Sequence, residues 1–339
     1  MSVNNTVPVL PPQVRMQEIL FGFGLAQALY VVAELNISTA LLDGPRSVEQ
    51  LAAESNADSG ALRRIIRYLT SYDVFRLRGD RVEVTDLGRT LADGVPGSVR
   101  GLARYWMETH YQPFSDLVHT ARTGETAATH YLGKPMFDWV NESARLTQLQ
   151  NSAMSGGGKV ARGDLLERYE LPDGEVVADI GGADGSLLAE LLADRPQRRG
   201  VLFDLPAVIS DAPVRLSAAG LADRVDVVGG DFFDSVPAAD IYVMSVVLHD
   251  WDDDSCVRIL NNIAASATPG ARLVLIEAVV PEDGQPHFSK LLDLVMLAML
   301  TGRERSESEW RELLAKGGFA LDRIVNGSGA MSAIEASRI

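Results

Sequence analysis

The sequence predicts an α/β chain in two parts. A doubly wound sheet with an antiparallel edge hairpin occupies the C-terminal half, and a mostly helical module of winged-helix pattern precedes it. Three observations carry this. Val176 to Gly185, VVADIGGADG, runs apolar residues into an acid and a glycine-rich turn, followed by an apolar helix pattern. That is the strand–loop–helix opening of a nucleotide-binding domain, where glycines let the backbone approach a ligand. From residue 175 onward strand and helix patterns alternate, as in a sheet covered by helices on both faces. Upstream, two short helices lead into two strand candidates joined by Arg78-Gly79-Asp80-Arg81, a helix–helix–wing order.

Taken in order, residues 15–45 read as helical, with apolar positions from Leu20 to Leu35, and Gly44-Pro45 stops the pattern. Ser47 and Gln50 form a capping box for a short helix ending near Ser55. A second helix starts near Asp58 and carries Leu62, Ile65, Ile66 and Leu69 inward. Val74 to Leu77 and Val82 to Val84 make the hairpin. Residues 98–160 look helical and loop-rich, ending in Ser155-Gly156-Gly157-Gly158. Strands are expected at 176–180, 200–204, 225–229, 240–246 and 271–279. Two short strands, Phe319 to Val325 and Ala330 to Glu335, flank Asn326-Gly327-Ser328-Gly329 and give the edge hairpin. The domain reading is 1–100 for the winged-helix-like module, 101–165 for a helical connector and 166–339 for the sheet domain.

Composition narrows the function. At 339 residues and 46% hydrophobic content the chain can hold two cores. The net charge of −15 argues against nucleic acid as a main partner. Residues 47–89 hold seven acids against seven bases, so the winged-helix pattern lacks the positive excess that phosphates require. Apolar runs are broken by charge or glycine, so no membrane partner is expected. The N-terminal MSVNNTVPVLPPQVRM lacks a basic and then apolar leader pattern. A single cysteine, Cys256, rules out an intramolecular disulfide. A cytoplasmic enzyme is the natural reading.

The loop spacing is D-x-G-x-A-x-G through Asp179, Gly181, Ala183 and Gly185, not the G-x-G-x-x-G of a dinucleotide binder. Asp184 lies inside it, where its charge opposes a phosphate. A nucleoside without phosphate and with a cationic sulfur suits it better, which describes S-adenosylmethionine. Asp204 ends the second strand, 25 residues beyond Asp179, where a carboxylate accepts from ribose hydroxyls. Asp231 and Phe232 follow the third strand and can hold an adenine. The candidate cofactor set is Asp179, Gly181, Gly182, Asp204, Leu205, Asp231, Phe232 and Ser245. His249 differs from the other histidines because it follows an apolar strand at its C-terminal end, where α/β sites lie.

The run from Asp179 through Asp204 and Asp231 resembles the small-molecule O-methyltransferases of plant phenylpropanoid and bacterial polyketide and phenazine pathways. LHDWDDD (Leu248 to Asp254), LVLIEAVVPEDG (Leu273 to Gly284) and MLTGRERSESEW (Met299 to Trp310) strengthen the likeness. The family usually has glycine where Ala183 stands, and a methyl there is tolerable at negative φ. The resemblance implies a class I methyltransferase sheet, a homodimer through the N-terminal module and a small aromatic acceptor. It implies methyl transfer from S-adenosylmethionine to a phenolic hydroxyl, leaving S-adenosylhomocysteine. His249 is then the general base, with Asp250 beside it and Glu277 and Glu304 holding the imidazole. Met107, Phe114, Phe137, Trp139, Met154, Met296 and Met299 are acceptor-pocket candidates, and Arg303 is a candidate for an acceptor carboxylate or carbonyl.

A phenol titrates near ~10 and a free imidazole near ~6.5, so proton removal must accompany attack or the sulfonium field must lower the phenol. Asp252-Asp253-Asp254 invites a metal, but acids also stabilise a helix N-terminus, and no metal is expected. N- or C-methylation and a non-methylating relative such as a hydroxylase or decarboxylase remain as rival activities. A DNA-binding regulator is the rival from outside enzymology.

Overall fold

The computed structural model describes residues 11–339, Ser155 as backbone only. Residues 1–10, most of the N-terminal stretch read above for export, lie outside the described residues. Of the described residues, those up to Gln112 together with Arg145–Gly157 form one compact unit, and Pro113–Ala144 with Gly158–Ile339 form the other.

In the first unit the expected long helical stretch is divided into Pro12–Leu20, Gly22–Glu34 and Ile37–Ala40. Asn36 sits between the last two with φ 56, and asparagine is one of the few residues that takes the left-handed conformation readily. The capping box forms: the Gln50 amide donates to Ser47 Oγ at 3.2 Å, and the Ser47 amide donates to Gln50 Oε1 at 2.9 Å. Asp58 caps Ser59–Thr70 by accepting from the Ala61 amide at 2.7 Å. Strands β1 (Arg46–Ser47), β2 (Phe75–Arg78) and β3 (Arg81–Val84) lie in the order β1-β3-β2. Leu62, Ile66 and Leu69 are buried with Val32, Ile37 and Val82 in one core.

Pro12–Glu34, taken as one 23-residue stretch, has mean hydropathy 1.4 and is long and apolar enough to cross a membrane. This corrects the expectation that no stretch resembles a span. No charge falls between Glu18 and Glu34; the break between the two helices falls at Phe21, and Gly22 and Gly24 lie inside the second. Val14, Met16, Ile19, Leu20, Phe21 and Phe23 are all exposed.

A second correction concerns Ser155 to Gly158. This run does not end the helical region. Helix Ala144–Arg162 passes straight through it. Close packing favours glycine there: a Cβ on Gly157 would lie 2.6 Å from Leu102 Cδ1, and one on Gly156 would lie 3.2 Å from the Ser98 carbonyl oxygen.

The second unit is built on a seven-stranded sheet. Its strands are β4 (Val176–Ile180), β5 (Arg199–Asp204), β6 (Val225–Gly229), β7 (Ile241–Ser245), β8 (Arg272–Ala278), β9 (Phe319–Asn326) and β10 (Met331–Arg338). Their order is β6-β5-β4-β7-β8-β10-β9. The first five are parallel, and β10 is antiparallel to both β8 and β9. Ile241, Tyr242, Val243 and Met244 are all fully buried, as an apolar run covered on both faces requires. The two hairpin strands are longer than expected, and only β9 is at the edge. β10 is interior and buried from Met331 to Ala336.

The chain runs β4, β5, β6 in one direction, then crosses back to place β7 on the other side of β4. Strand order therefore reverses beside β4. The crevice at the C-terminal strand ends there is where open α/β sheets bind ligands. Ile180 pairs with Phe203 and Asp179 with Val243, so the ends of β4, β5 and β7 are level.

Candidate active site

The glycine turn after β4 is held in a left-handed sequence: Gly181 has φ 74, Ala183 φ 47 and Gly185 φ 76. A Cβ on Gly182 would meet Leu202 Cδ1 at 2.5 Å and Asp179 Cγ at 2.6 Å, so the turn closes tightly over Asp179. Ala183 departs from the expected negative φ. Its methyl sits where L-residues pay about 1–2 kcal/mol. Two amides tie this turn to the next strand end: Ala183 N–H donates to Asp204 Oδ2 at 3.0 Å, and Leu205 N–H donates to Oδ1 at 2.7 Å.

Asp179 is buried, and its Oδ2 has no hydrogen-bond partner. Burial, reinforced by the Asp204 charge, pushes its carboxyl up to about 7. Asp204 is also raised by burial, with its two amide bonds opposing. Asp184 behaves differently from the expectation of a bare charge opposing phosphate. Its Oδ1 accepts the Ser186 amide at 3.0 Å and its Oδ2 pairs with Arg215 at 3.0 Å. The acid thus occupies an amide at the helix N-terminus that a phosphate would use.

At the end of β6, Asp231 Oδ1 accepts the Phe233 amide at 2.8 Å. Asn262 fixes the same loop by donating to the carbonyls of Phe232 and Phe233, both at 2.9 Å. The Phe232 ring stands edge-on to Phe233 and Trp251. Leu205 is 47% exposed beside Asp204, and Ser245 ends β7 half-buried.

The second cluster follows β7. Val246 takes φ 57, a genuine outlier for a β-branched residue and a place where strain is stored. The next turn, Leu248–Asp250, carries His249, which is 3% exposed. His249 Nδ1 lies 2.6 Å from Glu304 Oε1, and Nε2 lies 3.3 Å from Asp250 Oδ1. Glu277 is fully buried, but it does not hold the imidazole as expected. Its Oε1 accepts the amides of Val247 at 3.0 Å and Leu248 at 2.9 Å, so it fixes the backbone that leads to His249. Register explains this: Glu277 lies one residue past the Ser245–Ile276 pair, level with the start of the turn.

Burial alone pulls the His249 imidazolium down, but the carboxylates of Asp250, Glu277 and Glu304 outweigh it and push it up to about 10. Burial raises Glu277 to about 7 and Asp250 to about 6, with His249 opposing both. The cluster therefore holds more protons at neutral pH than its separate groups would. Glu277 Oε2 and Glu304 Oε2 are buried without hydrogen-bond partners. One donor atom each from His249, Glu277 and Glu304 fall within 4.8 Å of one another, a spacing a metal ion also accepts.

The acceptor candidates are distributed over both units. Met107 on Arg100–Thr109 and exposed Met154 on Ala144–Arg162 belong to the first. Phe114, Phe137, Trp139, Met296, Met299 and Arg303 belong to the second, with Met296 and Met299 buried. Arg303 is already engaged, at 2.9 Å from Asp253 and 2.6 Å from Glu309. The three consecutive acids divide their work. Asp252 caps Asp253–Ser266 by accepting from Ser255 N–H at 2.8 Å, and Asp253 pairs with Arg303 and Arg305. Sequence reasoning missed Val246, Asn262, Gly302 and Arg305. No periodicity marks a strained valine or a buried arginine, although Arg305 stands next to Glu304 in a motif already singled out.

Residues 111–320 match the family model of the O-methyltransferase domain, and residues 17–94 match the O-methyltransferase dimerisation domain. The chain is 36% identical over 341 residues to the phenazine O-methyltransferase PhzM of Lysobacter antibioticus, covering all of both chains. It is 35% identical to the 8-amino-8-demethylriboflavin N,N-dimethyltransferase of Streptomyces davaonensis, over 95% of this chain and 94% of that one. Among solved structures, CalO1, a methyltransferase in calicheamicin biosynthesis in its SAH-bound form, superimposes with a TM-score of 0.86 at 32% identity. The match covers 98% of this chain and 100% of that one.

Proposed function

The chain belongs to the S-adenosylmethionine-dependent O-methyltransferase family, and from that premise we propose that it methylates a phenolic hydroxyl of a small aromatic secondary metabolite, with His249 as general base. The observation that carries the reading is the His249 pairing. With Nδ1 committed to Glu304 at 2.6 Å, the tautomer is set and Nε2 is the nitrogen that takes a proton. His249 follows β7, next to the strand that bears the glycine turn. A phenazine-directed relative supports an aromatic acceptor.

Bound S-adenosylmethionine supplies an activated methyl on a cationic sulfur. The residues present suit it. Asp179 leaves a buried carboxylate oxygen unpartnered, Asp204 offers a carboxylate at the end of β5, and Leu205 offers exposed apolar surface beside it. Asp231 and Phe232 serve the base end and Ser245 the crevice wall. Phe137, Met296 and Met299 of the second unit are proposed to face the acceptor.

Methylation at nitrogen is the second reading, favoured by the N,N-dimethyltransferase relative. The decisive experiment incubates the protein with S-adenosylmethionine and paired acceptors that differ only in carrying a phenol or an aromatic amine. Mass detection of a methyl gain on the phenol alone, lost in His249→Ala, supports the proposal. Gain on the amine alone, insensitive to His249→Ala, rejects it. We further propose a homodimer formed through residues 1–100. The dimerisation-domain match and the exposed apolar side chains of Pro12–Glu34 support it. The reaction is proposed to need no metal, and chelation tests that.

A further inference from the structure

We propose that Arg305 is a positioning residue that clamps the backbone of the His249 turn, while Glu304 holds the imidazole. The proposal rests on the reading of His249 as base. The Arg305 side chain is fully buried. Its Nη1 donates to the Leu248 carbonyl at 3.3 Å, and its Nη2 donates to the Trp251 carbonyl at 3.1 Å. Those two carbonyls bracket His249 and Asp250. The charge is balanced by Asp253, whose Oδ1 accepts from Nε at 3.1 Å and from Nη2 at 2.8 Å. The guanidinium also lies over the Trp310 ring at 5.2 Å.

The segment around Arg305 is built against the same turn. A Cβ on Gly302 would overlap the His249 carbonyl oxygen, the Asp250 carbonyl carbon and the Trp251 amide nitrogen, so only glycine permits this approach. Glu304 and Arg305 are consecutive. One reaches the imidazole, and the other reaches the carbonyls on either side of it. The segment is itself anchored: the Val280 amide donates to the Arg305 carbonyl at 2.9 Å, and the Glu304 amide donates to Asp293 Oδ1 at 2.9 Å.

The turn needs such restraint because Val246 enters it at φ 57, and strained backbone persists only where its surroundings over-determine it. Glu277 holds two amides of the turn and Arg305 two carbonyls. A lysine cannot replace this fork, because its three donors radiate from one nitrogen while arginine's five are spread over a rigid plane.

The test is a double-mutant cycle of Arg305→Lys with His249→Ala. It reads kcat, S-adenosylhomocysteine affinity by calorimetry, the pH profile and the melting temperature. Arg305→Lys is expected to lower kcat by about 10–100-fold, the scale of a small misplacement of a reacting group. Its S-adenosylhomocysteine affinity should stay within about threefold of wild type, and its alkaline limb should shift. In the His249→Ala background the same change should add little, since neighbours acting through one group are non-additive. Asp253→Asn, an isostere that loosens the clamp from outside, should show a smaller loss of the same kind and decides the matter if Arg305→Lys does not fold. Full additivity in the cycle, or a kcat loss with an unmoved pH profile, would make Arg305 a fold element only. Unchanged kcat and pH profile in a folded Asp253→Asn would equally overturn the proposal. Wild-type kcat in His249→Ala alone would instead reject the base reading, so the two failures are told apart.

Discussion

Replacing Glu304 with Gln separates charge from geometry at the base. The Nδ1···Oε1 distance is 2.6 Å and both residues are 3% exposed or less, so solvent does not dilute the interaction. An amide oxygen can still accept from Nδ1–H and hold the ring. What is lost is the difference between a charge-assisted bond, about 1.5–3 kcal/mol, and a neutral one, about 0.5–1.5 kcal/mol. That difference, roughly 1–1.5 kcal/mol, equals about one pKa unit and about one decade in rate. His249 stands at about 10 and should fall by that unit. The two consequences oppose each other at neutral pH, because more of the imidazole is free but each free imidazole is a weaker base. On the alkaline plateau nothing compensates, so kcat there should drop by up to about tenfold. The assay is kcat against pH at saturating substrates, with two acceptors of different phenol pKa so that the limb belonging to the enzyme is identified by staying fixed. A loss that is uniform across pH with the limb unmoved would refute the reasoning, since Glu304 would then act on something other than the His249 charge.

Four further outcomes follow from the same structure. Ala183→Gly should raise stability by roughly 0.5–1 kcal/mol, because relief of the left-handed strain, about 1–2 kcal/mol, exceeds the added chain entropy, about 0.5–1 kcal/mol; a lower melting temperature would count against strain at φ 47. Asp204→Ala should weaken S-adenosylhomocysteine binding by about 1–3 kcal/mol, measured by calorimetry, and unchanged affinity would remove Asp204 from the cofactor set. Stability should decline as pH rises from 5 to 9. The carboxyls of Asp179 and Glu277 titrate near 7 and that of Asp250 near 6 in the folded chain, all above their ordinary values, so the folded state keeps protons the unfolded chain has released. That contribution is full below about 4 and is lost as pH rises through about 7, and His249, raised from 6.5 to about 10, extends the loss upward; a melting temperature that climbs from pH 5 to 8 would contradict the sign. Activity should survive prolonged EDTA treatment, and loss restored by one divalent ion would move His249, Glu277 and Glu304 into a metal role.

Much of the fold was legible because it rests on local patterns. The parallel strands are apolar runs bounded by turns, and β4 and β6 fall where 176–180 and 225–229 were expected. The Ser47–Gln50 box and the Asp58 cap are four-residue devices readable directly from the sequence. Ser155 to Gly158 misled for a reason that is also physical. Glycine lowers intrinsic helix propensity, but what decides this segment is the room that Leu102 and Ser98 leave beside it. Packing between segments over fifty residues apart has no signature inside a four-residue window. The same applies to Pro12–Glu34, where a charge count overlooked that no charge falls between Glu18 and Glu34.

The site divides along the same line. Residues at strand ends could be named from the sequence, because strand ends are where an α/β sheet exposes side chains toward a ligand. Which atom each one touches could not be named. Glu277 was expected on the imidazole and instead holds two amides of the turn, a choice set by the register of β8 against β7. Arg303 and Arg305 look alike in the motif, yet one is exposed between Asp253 and Glu309 while the other is buried under the His249 turn. Alternation does not separate them, since residues two apart share a face of an extended segment; what separates them is the His249 turn, against which Gly302 brings the backbone into close approach. A buried arginine is tolerable only when its donors are matched, and Leu248, Trp251 and Asp253 supply that match from a turn some fifty residues earlier. Pair-level chemistry of this kind becomes visible only once the strand that carries each partner has been placed.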